Sequence, residues 1–222
     1  MSATPTPAGL RSALAVQGVL VAIALVAGLV IASVHELTRP RVAAQRAALL
    51  ADAVLDVLPG AVAYDGYALR ADGRLERLPS PQDAALFVGR DGTGQRVGVA
   101  IAAAGMGYQD RIQLLYGVDP DAGRLLGLRV LESRETPGLG ARIVDDAAFL
   151  QGFVMLQLQF DDSARVRPLR LARAGAEAGE YDGITGATVS ARAVGRILSA
   201  SLAEWLPRLR DPAALAGGHG DG

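Results

Sequence analysis

The sequence predicts an α+β protein, with an N-terminal transmembrane helix followed by one domain of antiparallel strands and flanking helices. Three observations predict this class: an uncharged apolar stretch over 12–34, short alternating segments separated by turns after it, and an amphipathic helical pattern over 189–206. Of the 222 residues, 187 remain outside the membrane segment at 12–34 and the C-terminal tail at 211–222. That length is enough for one domain with a hydrophobic core.

The first element is the apolar stretch from Ser12 to Val34. Its 23 residues carry no charge, and at about 1.5 Å per residue they form roughly 34 Å of helix, enough to cross a hydrocarbon core of about 30 Å. A cleaved signal peptide is the alternative, but its apolar region is normally about 7–15 residues long, and this stretch lacks a clear A-x-A cleavage site. We therefore predict a retained anchor over 12–34, after a short N-terminal segment at 1–11.

The charges around this stretch bear on its orientation. Only Arg11 and the amino terminus precede it, whereas Arg39, Arg41 and Arg46 follow it closely. By the positive-inside rule, this distribution places the C-terminal domain in the cytoplasm.

A helical linker at 35–60 and a domain at 61–210 follow the anchor. The linker contains a predicted helix over Val42–Leu58, which Pro59-Gly60 ends. In the domain, Asp145-Asp146 can cap a short helix that runs through Gln151, and a helix over Val189–Leu206 closes the domain. Alternating apolar segments predict strands at Ala85–Val88, Arg96–Ala103, Ile112–Val118, Leu125–Leu131, Phe153–Phe160 and Leu169–Leu171. The small, Gly-rich tail at 211–222 is expected to be disordered.

The composition excludes several kinds of chemistry. The chain has no Cys, which rules out disulfides, Cys-ligated iron–sulfur clusters and thiol nucleophiles. All 22 basic residues are Arg, so a P-loop lysine and a lysine general base are absent. The two histidines, His35 and His219, argue against a His-based metal site or a catalytic triad. A net charge of −1 gives no electrostatic case for nucleic acid.

The segment before the last helix carries a hydroxyl at a helix N-terminus. Thr188 follows the pair Gly186-Ala187, and from Val189 onward the apolar residues fall on one helical face. Free backbone N–H groups and the positive end of the helix dipole therefore point toward Thr188, which suits a phosphate. From the residues alone a simple N-cap is the alternative, because Thr and Ser commonly begin helices.

This segment, Asp182-Gly183-Ile184-Thr185-Gly186-Ala187-Thr188, resembles the flavinylation motif of the FMN-binding domain family, a pattern of the form D-x-x-[ST]-G-A-T. The resemblance implies covalent FMN, which a flavin transferase attaches through its phosphate to Thr188. A threonine hydroxyl is a weak nucleophile at neutral pH, so the attachment requires that separate enzyme.

Two further motifs narrow the resemblance. Gly107-Tyr108-Gln109-Asp110-Arg111-Ile112 precedes the predicted hairpin, and Glu135-Thr136-Pro137-Gly138-Leu139-Gly140 follows it. In this order, ahead of the flavinylation motif, they are similar to the G subunit of Rnf-type electron-transport complexes, with the C subunit of sodium-translocating NADH:quinone reductase as a sister. The resemblance runs from the membrane segment to about Pro207 and departs at Ser190-Ala191, where relatives often carry Thr-Ser.

The resemblance implies a membrane-anchored electron-transfer subunit with covalently bound FMN, in a complex that couples ferredoxin/NAD electron transfer to ion translocation. The implied partners are the other membrane subunits of the complex, the flavin transferase during maturation, and the membrane; no nucleic acid is expected. The resemblance also places the N-terminus at 1–11 in the cytoplasm and the C-terminal domain in the periplasm. We follow it over the arginine count because partner subunits can fix a topology. The alternatives are a subunit of the sister reductase, a stand-alone flavinylated carrier, and an unmodified non-redox scaffold.

The expected FMN phosphate site lies in the flavinylation motif. Thr188 is the acceptor. Thr185 and Ser190 supply neighbouring hydroxyls, which either hydrogen-bond the phosphate or simply start the helix. Gly186 and Ala187 let the backbone and the transferase approach closely.

The expected wall of the flavin ring lies in the two upstream motifs. A tight turn at Pro137-Gly138 can aim backbone N–H groups at the ring, and a rigid surface turn is the alternative. Tyr108 either stacks on the ring or is a half-buried strand aromatic. Arg192 and Arg196 either neutralise the phosphate or form a solvated helix face. The residues assigned to the wall are Glu135, Thr136, Gly138 and Leu139.

Overall fold

A computed structural model describes residues 7–70, 73–80, 84–172 and 177–210. The tail predicted at 211–222 lies outside the described residues. By contacts between residues, the chain divides into two compact units, 1–48 and 49–222. The helices are α1 (Pro7–Val57), α2 (Ala147–Gln151) and α3 (Thr188–Leu209), with a 3₁₀ turn at Gly140–Ile143. The strands are β1 (Ala63–Leu69), β2 (Leu75–Arg77), β3 (Leu86–Arg90), β4 (Arg96–Met106), β5 (Arg111–Asp119), β6 (Arg124–Glu132), β7 (Arg170–Leu171) and β8 (Glu180–Tyr181).

Helix α1 is one continuous helix that contains both the predicted membrane segment and the predicted linker helix. By length and composition, its apolar part is long and hydrophobic enough to cross a membrane. Large apolar side chains such as Leu25, Leu29 and Ile31 are 69%, 69% and 70% exposed. A helix that is apolar all around and exposed is stable in lipid rather than in water.

The domain is built on a six-stranded antiparallel sheet in the order β2-β1-β3-β4-β5-β6. The four strands predicted between Ala85 and Leu131 are confirmed as β3 to β6. Strands β1 and β2 were not predicted from the sequence. In β1, Asp65 and Gly66 are residues that strands disfavour, and pairing with β3 from Ala63 to Tyr67 overrides that weak local preference.

Both faces of the central strands contribute to a hydrophobic core. Successive side chains along a strand point to opposite faces, so Leu114 and Tyr116 of β5 lie in one core while Leu115 lies in the other. The larger core also holds the apolar side of α3, including Val194 and Leu198. The smaller core holds the C-terminal end of α1 and the residue that follows it, with Ala53, Val54, Val57 and Leu58 packed on Phe87, Ala100, Leu115 and Leu126.

Glycines in four neighbouring strands make room for the end of α1 and for Leu58, which follows it. A Cβ at Gly117 would overlap the carbonyl oxygen of Val57, and a Cβ at Gly127 would lie 3.3 Å from the Val57 Cα. The four positions form two facing pairs in the sheet register, Gly89 with Gly98 and Gly117 with Gly127. A side chain at Gly117 would therefore hold the helix end away from the strands.

The predicted strand over Phe153–Phe160 is wrong. The chain turns after α2, and Met155 adopts a left-handed φ of 57°, which interrupts an extended strand. Only single bridges form in this segment, from Gln157 to Arg124 and from Phe160 to Val166. The apolar alternation serves burial instead, since Phe153, Leu156 and Leu158 all face the larger core.

The remaining elements bring the chain to the start of α3. Asp146 caps α2, as predicted, because its Oδ1 accepts a hydrogen bond from the Phe149 N–H at 3.1 Å. The predicted strand at Leu169–Leu171 is confirmed as β7, which pairs in parallel with β8. β8 ends at Tyr181, directly ahead of the motif at 182–188.

Candidate functional site

Buried aromatic side chains hold the beginning of the loop that precedes α3. The Tyr181 ring is 2% exposed and packs against Phe153 at a centroid distance of 4.9 Å. Its hydroxyl donates to the Ala191 carbonyl at 3.2 Å, and a Cβ at Gly195 would overlap that hydroxyl. Burial raises the pKa of Tyr181 to about 12, although the positive charges of Arg196 and Arg192 oppose the shift. Tyr181 therefore stays a neutral donor that ties β8 to α3.

The loop then reverses in a tight turn over 184–187. The Ala187 N–H donates to the Ile184 carbonyl at 3.0 Å, and Gly186 has a φ of +85°. A glycine with positive φ at the third position is typical of a type II turn. Ile184 is 3% exposed and Ala187 4%, while Thr185 and Gly186 are exposed. Thr185 and Gly186 are thus exposed to solvent, while the residues on either side of them are buried.

Thr188 is the first residue of α3 and is not its N-cap. The cap position is Ala187, and its side chain makes no capping hydrogen bond. Among the described residues, the hydroxyl of Thr188 and the N–H groups of Thr188, Val189 and Ser190 have no hydrogen-bond partner. The simple-cap alternative is therefore wrong for Thr188, and the helix keeps free donors at its positive end.

The predicted tight turn at Pro137-Gly138 is confirmed. The Leu139 N–H donates to the Thr136 carbonyl at 3.2 Å, and Gly138 has a φ of +73°. Pro at the second position and Gly at the third define a type II turn. The turn leads directly into the 3₁₀ turn at Gly140–Ile143.

Glu135 joins the three motif segments. Its side chain is 4% exposed, and Oε1 accepts hydrogen bonds from the N–H groups of Tyr108 and Gln109, both at 2.9 Å. Oε2 accepts the hydroxyl hydrogen of Ser190 at 2.5 Å. One carboxylate therefore connects the loop between β4 and β5, the loop after β6, and the first turn of α3.

The environment of Glu135 keeps it ionised. Burial acts to raise the pKa of the carboxyl group, but the Ser190 hydroxyl and the N–H groups of Gln109, Asp110 and Tyr108 outweigh it, so the pKa lies below its ordinary value. The positive end of the α3 dipole acts in the same direction. A negative charge is thus fixed inside the site.

Two motif glycines leave room for this carboxylate. A Cβ at Gly140 would lie 2.5 Å from Glu135 Oε2 and 2.6 Å from Ser190 Oγ. A Cβ at Gly107 would overlap Glu135 Oε1. Neither glycine has a positive φ, so close approach to the side chain of Glu135, and not backbone freedom, explains their place in the motifs.

The three segments enclose a cleft of about 420 Å³. This volume lies in the usual range for small-molecule sites, about 300–1,000 Å³. Thr185, Glu135 and Gly138, which the sequence assigned to the site, do not line the cleft. The lining residues are Tyr108, Thr136, Leu139, Gly140, Gly186, Ala187, Thr188, Val189 and Ser190.

Exposed apolar side chains surround the cleft. Tyr108 is 70% exposed in the turn between β4 and β5, so it is not a half-buried strand aromatic. Leu139 and Val189 are 52% and 51% exposed. Because large apolar groups grouped at a concave site cost free energy in water, this lining favours a ligand with an apolar surface.

Ser190 has a different role from the one expected. It is 2% exposed and donates its hydroxyl hydrogen to Glu135, so that hydrogen is not free for a phosphate. Thr136 donates to the side-chain oxygen of Gln109 at 2.8 Å, which holds the turn against the neighbouring loop.

The basic residue beside the loop is Arg142, which the sequence did not single out. Its Nη1 donates to the Thr185 carbonyl at 2.9 Å, and its Nη2 pairs with Asp146 at 2.8 Å. Arg192 and Arg196 are exposed on α3, and Arg196 borders a different groove, between β4 and α3. No sequence pattern marked Arg142 among 22 arginines, because only the fold brings it to Thr185.

Comparisons with known proteins identify relatives of this chain. A family model described as the FMN-binding domain matches residues 107–203, which include all three motif segments. The G subunit of an ion-translocating oxidoreductase complex from Pseudomonas aeruginosa is 34% identical over 186 residues, covering 81% of this chain and 82% of that one. The corresponding protein from Methanosarcina acetivorans is 30% identical over 178 residues, covering 79% and 85%.

This chain belongs to the family of G subunits of ion-translocating oxidoreductase complexes.

A solved structure extends the likeness to the fold. The C subunit of the Na⁺-translocating NADH-quinone reductase from Parabacteroides distasonis is 21% identical, with a TM-score of 0.53 over 66% of this chain and 76% of that one. This member of the G-subunit family therefore shares its α+β fold with that protein. The family resemblance carried by the motifs is confirmed.

Proposed function

We propose that this chain is the membrane-anchored electron-transfer subunit of an Rnf-type ion-translocating complex, and that it carries FMN as a phosphoester of Thr188. Membership of the G-subunit family and the FMN-binding domain match support the first part. The second part rests on the geometry around Thr188 and on the flavinylation motif that the chain carries.

The observation that carries the attachment site is the state of the first turn of α3. Thr188 lines the cleft, its hydroxyl has no capping role, and the first N–H groups of the helix have no acceptor among the described residues. A phosphodiester at this position gains backbone donors and the positive end of a 22-residue helix.

The residues of the cleft also fit the ring of FMN. Gly140, Gly186 and Ala187 offer backbone without bulky side chains, while Leu139 and Tyr108 give apolar contact at the edge. When bound, FMN supplies the redox chemistry, which the side chains of this protein cannot provide themselves. The protein holds the phosphate end, orients the ring and limits its contact with water.

The exposed turn at Thr185-Gly186 serves maturation. A flavin transferase must reach the Thr188 hydroxyl and activate it, because threonine is a weak nucleophile. Gly186 has a positive φ and open surroundings, with only Leu139 Cδ2 within 4 Å of a Cβ placed there. This leaves room for the approach of the enzyme.

We further propose the placement of the subunit. The anchor at 12–34 lies in the inner membrane, 1–11 lies in the cytoplasm, and the domain at 61–210 lies in the periplasm beyond the linker at 35–60. The other membrane subunits of the complex are the electron-transfer partners.

Mass spectrometry of the intact chain tests this function. Co-expressed with a flavin transferase, the purified protein should be yellow, and its mass should rise by one FMN less water that survives denaturation. Thr188→Ala should abolish the added mass, whereas Thr185→Ala should keep at least part of it, since of these two threonines only Thr188 lies in the first turn of α3.

Two outcomes would contradict the proposal. FMN that stays attached to Thr188→Ala after denaturation places the acceptor elsewhere. A wild-type chain that remains unmodified beside an active transferase and a flavinylated reference subunit is a non-redox scaffold.

A further inference from the structure

The floor of the cleft holds a negative charge that attachment of FMN does not require. Of the residues that line the cleft, Tyr108 and Ser190 donate hydrogen bonds to the Glu135 carboxylate, at 2.9 and 2.5 Å. A Cβ on a third, Gly140, would lie 2.5 Å from the same carboxylate. Glu135 therefore lies directly beneath the cleft, although its own side chain is 4% exposed and does not line it.

No arginine in the described part of the chain is paired with this carboxylate. Its partners there are N–H groups and one hydroxyl, all of them neutral donors. Arg142 is paired with Asp146 and the Thr185 carbonyl, and Arg134 is paired with Glu132 and Asp110. In a buried site such a charge is screened less by salt and water than a surface charge.

We propose that Glu135 is a positioning residue with an electrostatic role: its carboxylate beneath the cleft disfavours electron uptake by the bound flavin and so lowers the flavin reduction potential. This inference rests on the proposed function. Reduction makes the ring more negative whenever it takes up more electrons than protons. A charge near the ring therefore changes the reduction potential of the flavin. The lowered pKa of Glu135 keeps the charge present at neutral pH.

A redox titration of the full-length flavinylated protein in detergent tests the proposal. Glu135→Gln keeps the shape of the side chain, and its amide oxygen can still accept from the Tyr108 and Gln109 N–H groups. The midpoint potential should shift to more positive values, while the flavin stays covalently attached. Glu132→Gln is the matched control: it removes the same charge three residues away, from a side chain that is 50% exposed and paired with Arg134.

The outcomes separate the inference from the function it rests on. A wild-type chain without flavin overturns the proposed function. A flavinylated Glu135→Gln protein with the wild-type potential overturns only the role of Glu135. An equal shift in Glu132→Gln also overturns it, because overall charge would then explain the effect.

A measurement on the wild-type protein covers the case in which Glu135→Gln does not fold or keep its flavin. Infrared difference spectra between the oxidised and reduced protein, with and without ¹³C-labelled glutamate, should show an ionised glutamate carboxylate perturbed by reduction. A protonated carboxyl band, or no glutamate signal, would overturn the proposal.

Discussion

At the scale of single residues, the hydrogen bonds that hold the site together centre on Glu135 and not on Thr188, the proposed flavin acceptor. Its carboxylate accepts hydrogen bonds from the backbone of one loop and from a side chain of α3, and two motif glycines leave space for it. Charge-assisted hydrogen bonds are about twice as strong as neutral ones. A single side chain therefore holds together segments that are far apart in the chain.

The stability of the domain should depend on the ionisation of Glu135. Its pKa in the folded state lies below the ordinary value of 4.5, so the stabilising contribution is fully present above that pH and is lost as the pH falls through the folded pKa. Glu135→Gln should lower the free energy of unfolding at neutral pH by about 1.5–3 kcal/mol, the usual worth of hydrogen bonds to a charged group. Denaturant unfolding at several pH values should show this gap narrowing below pH 4.5.

The comparison with Glu132→Gln keeps this prediction specific, since that exposed carboxylate should change stability by less than about 1 kcal/mol. A gap between wild type and Glu135→Gln that is independent of pH would show that Glu135 acts through its shape alone.

At the scale of elements, the glycine pairs on the sheet decide how closely the end of α1 can pack. The smaller core includes Val57 and Leu58, which pack on the strands. Close packing of this kind tolerates little added volume.

Gly117→Ala should destabilise the domain strongly, because the added Cβ would overlap the Val57 carbonyl oxygen, a backbone atom that cannot rotate away. Overpacking typically costs about 1–3 kcal/mol and occasionally more. Gly127→Ala is the matched control, since its Cβ would lie 3.3 Å from Val57 Cα and needs only a small shift. Thermal unfolding of both variants measures the difference, and equal melting temperatures would mean that the end of α1 does not pack closely on Gly117.

At the scale of the whole molecule, charge and family disagree about orientation. Arg39, Arg41 and Arg46 favour a cytoplasmic domain, whereas we propose a periplasmic one. The disagreement matters for the proposed function, because a flavin transferase that modifies Thr188 would have to act in the same compartment as Thr188.

Paired reporters fused to the C-terminus test the topology. With the domain in the periplasm, alkaline phosphatase should be active and green fluorescent protein dark. The measurement should be made with and without the other subunits of the complex, since these partners are the reason we set the charge rule aside. A fluorescent, phosphatase-negative fusion under both conditions would overturn the proposed orientation.

The sequence by itself determined the fold class, the strands from β3 to β6, α3 and the family. These features depend on local periodicity and on short motifs, which are read without knowing what packs where. The same local reasoning failed for β1, where pairing with β3 outweighs the weak strand preference of Asp65 and Gly66. It also failed for Phe153–Phe160, where the alternation of apolar residues reflects burial in the core and not a strand.

Only the tertiary structure decided the arrangement of the site. Ser190 was expected near a phosphate and instead donates to Glu135, which was expected in the ring wall and instead lies beneath the cleft. Arg142 reaches Thr185 across 43 residues of sequence. Such contacts join segments distant in the chain, and neither periodicity nor composition encodes them. They arise because a buried carboxylate is stable only where the fold supplies its hydrogen-bond donors.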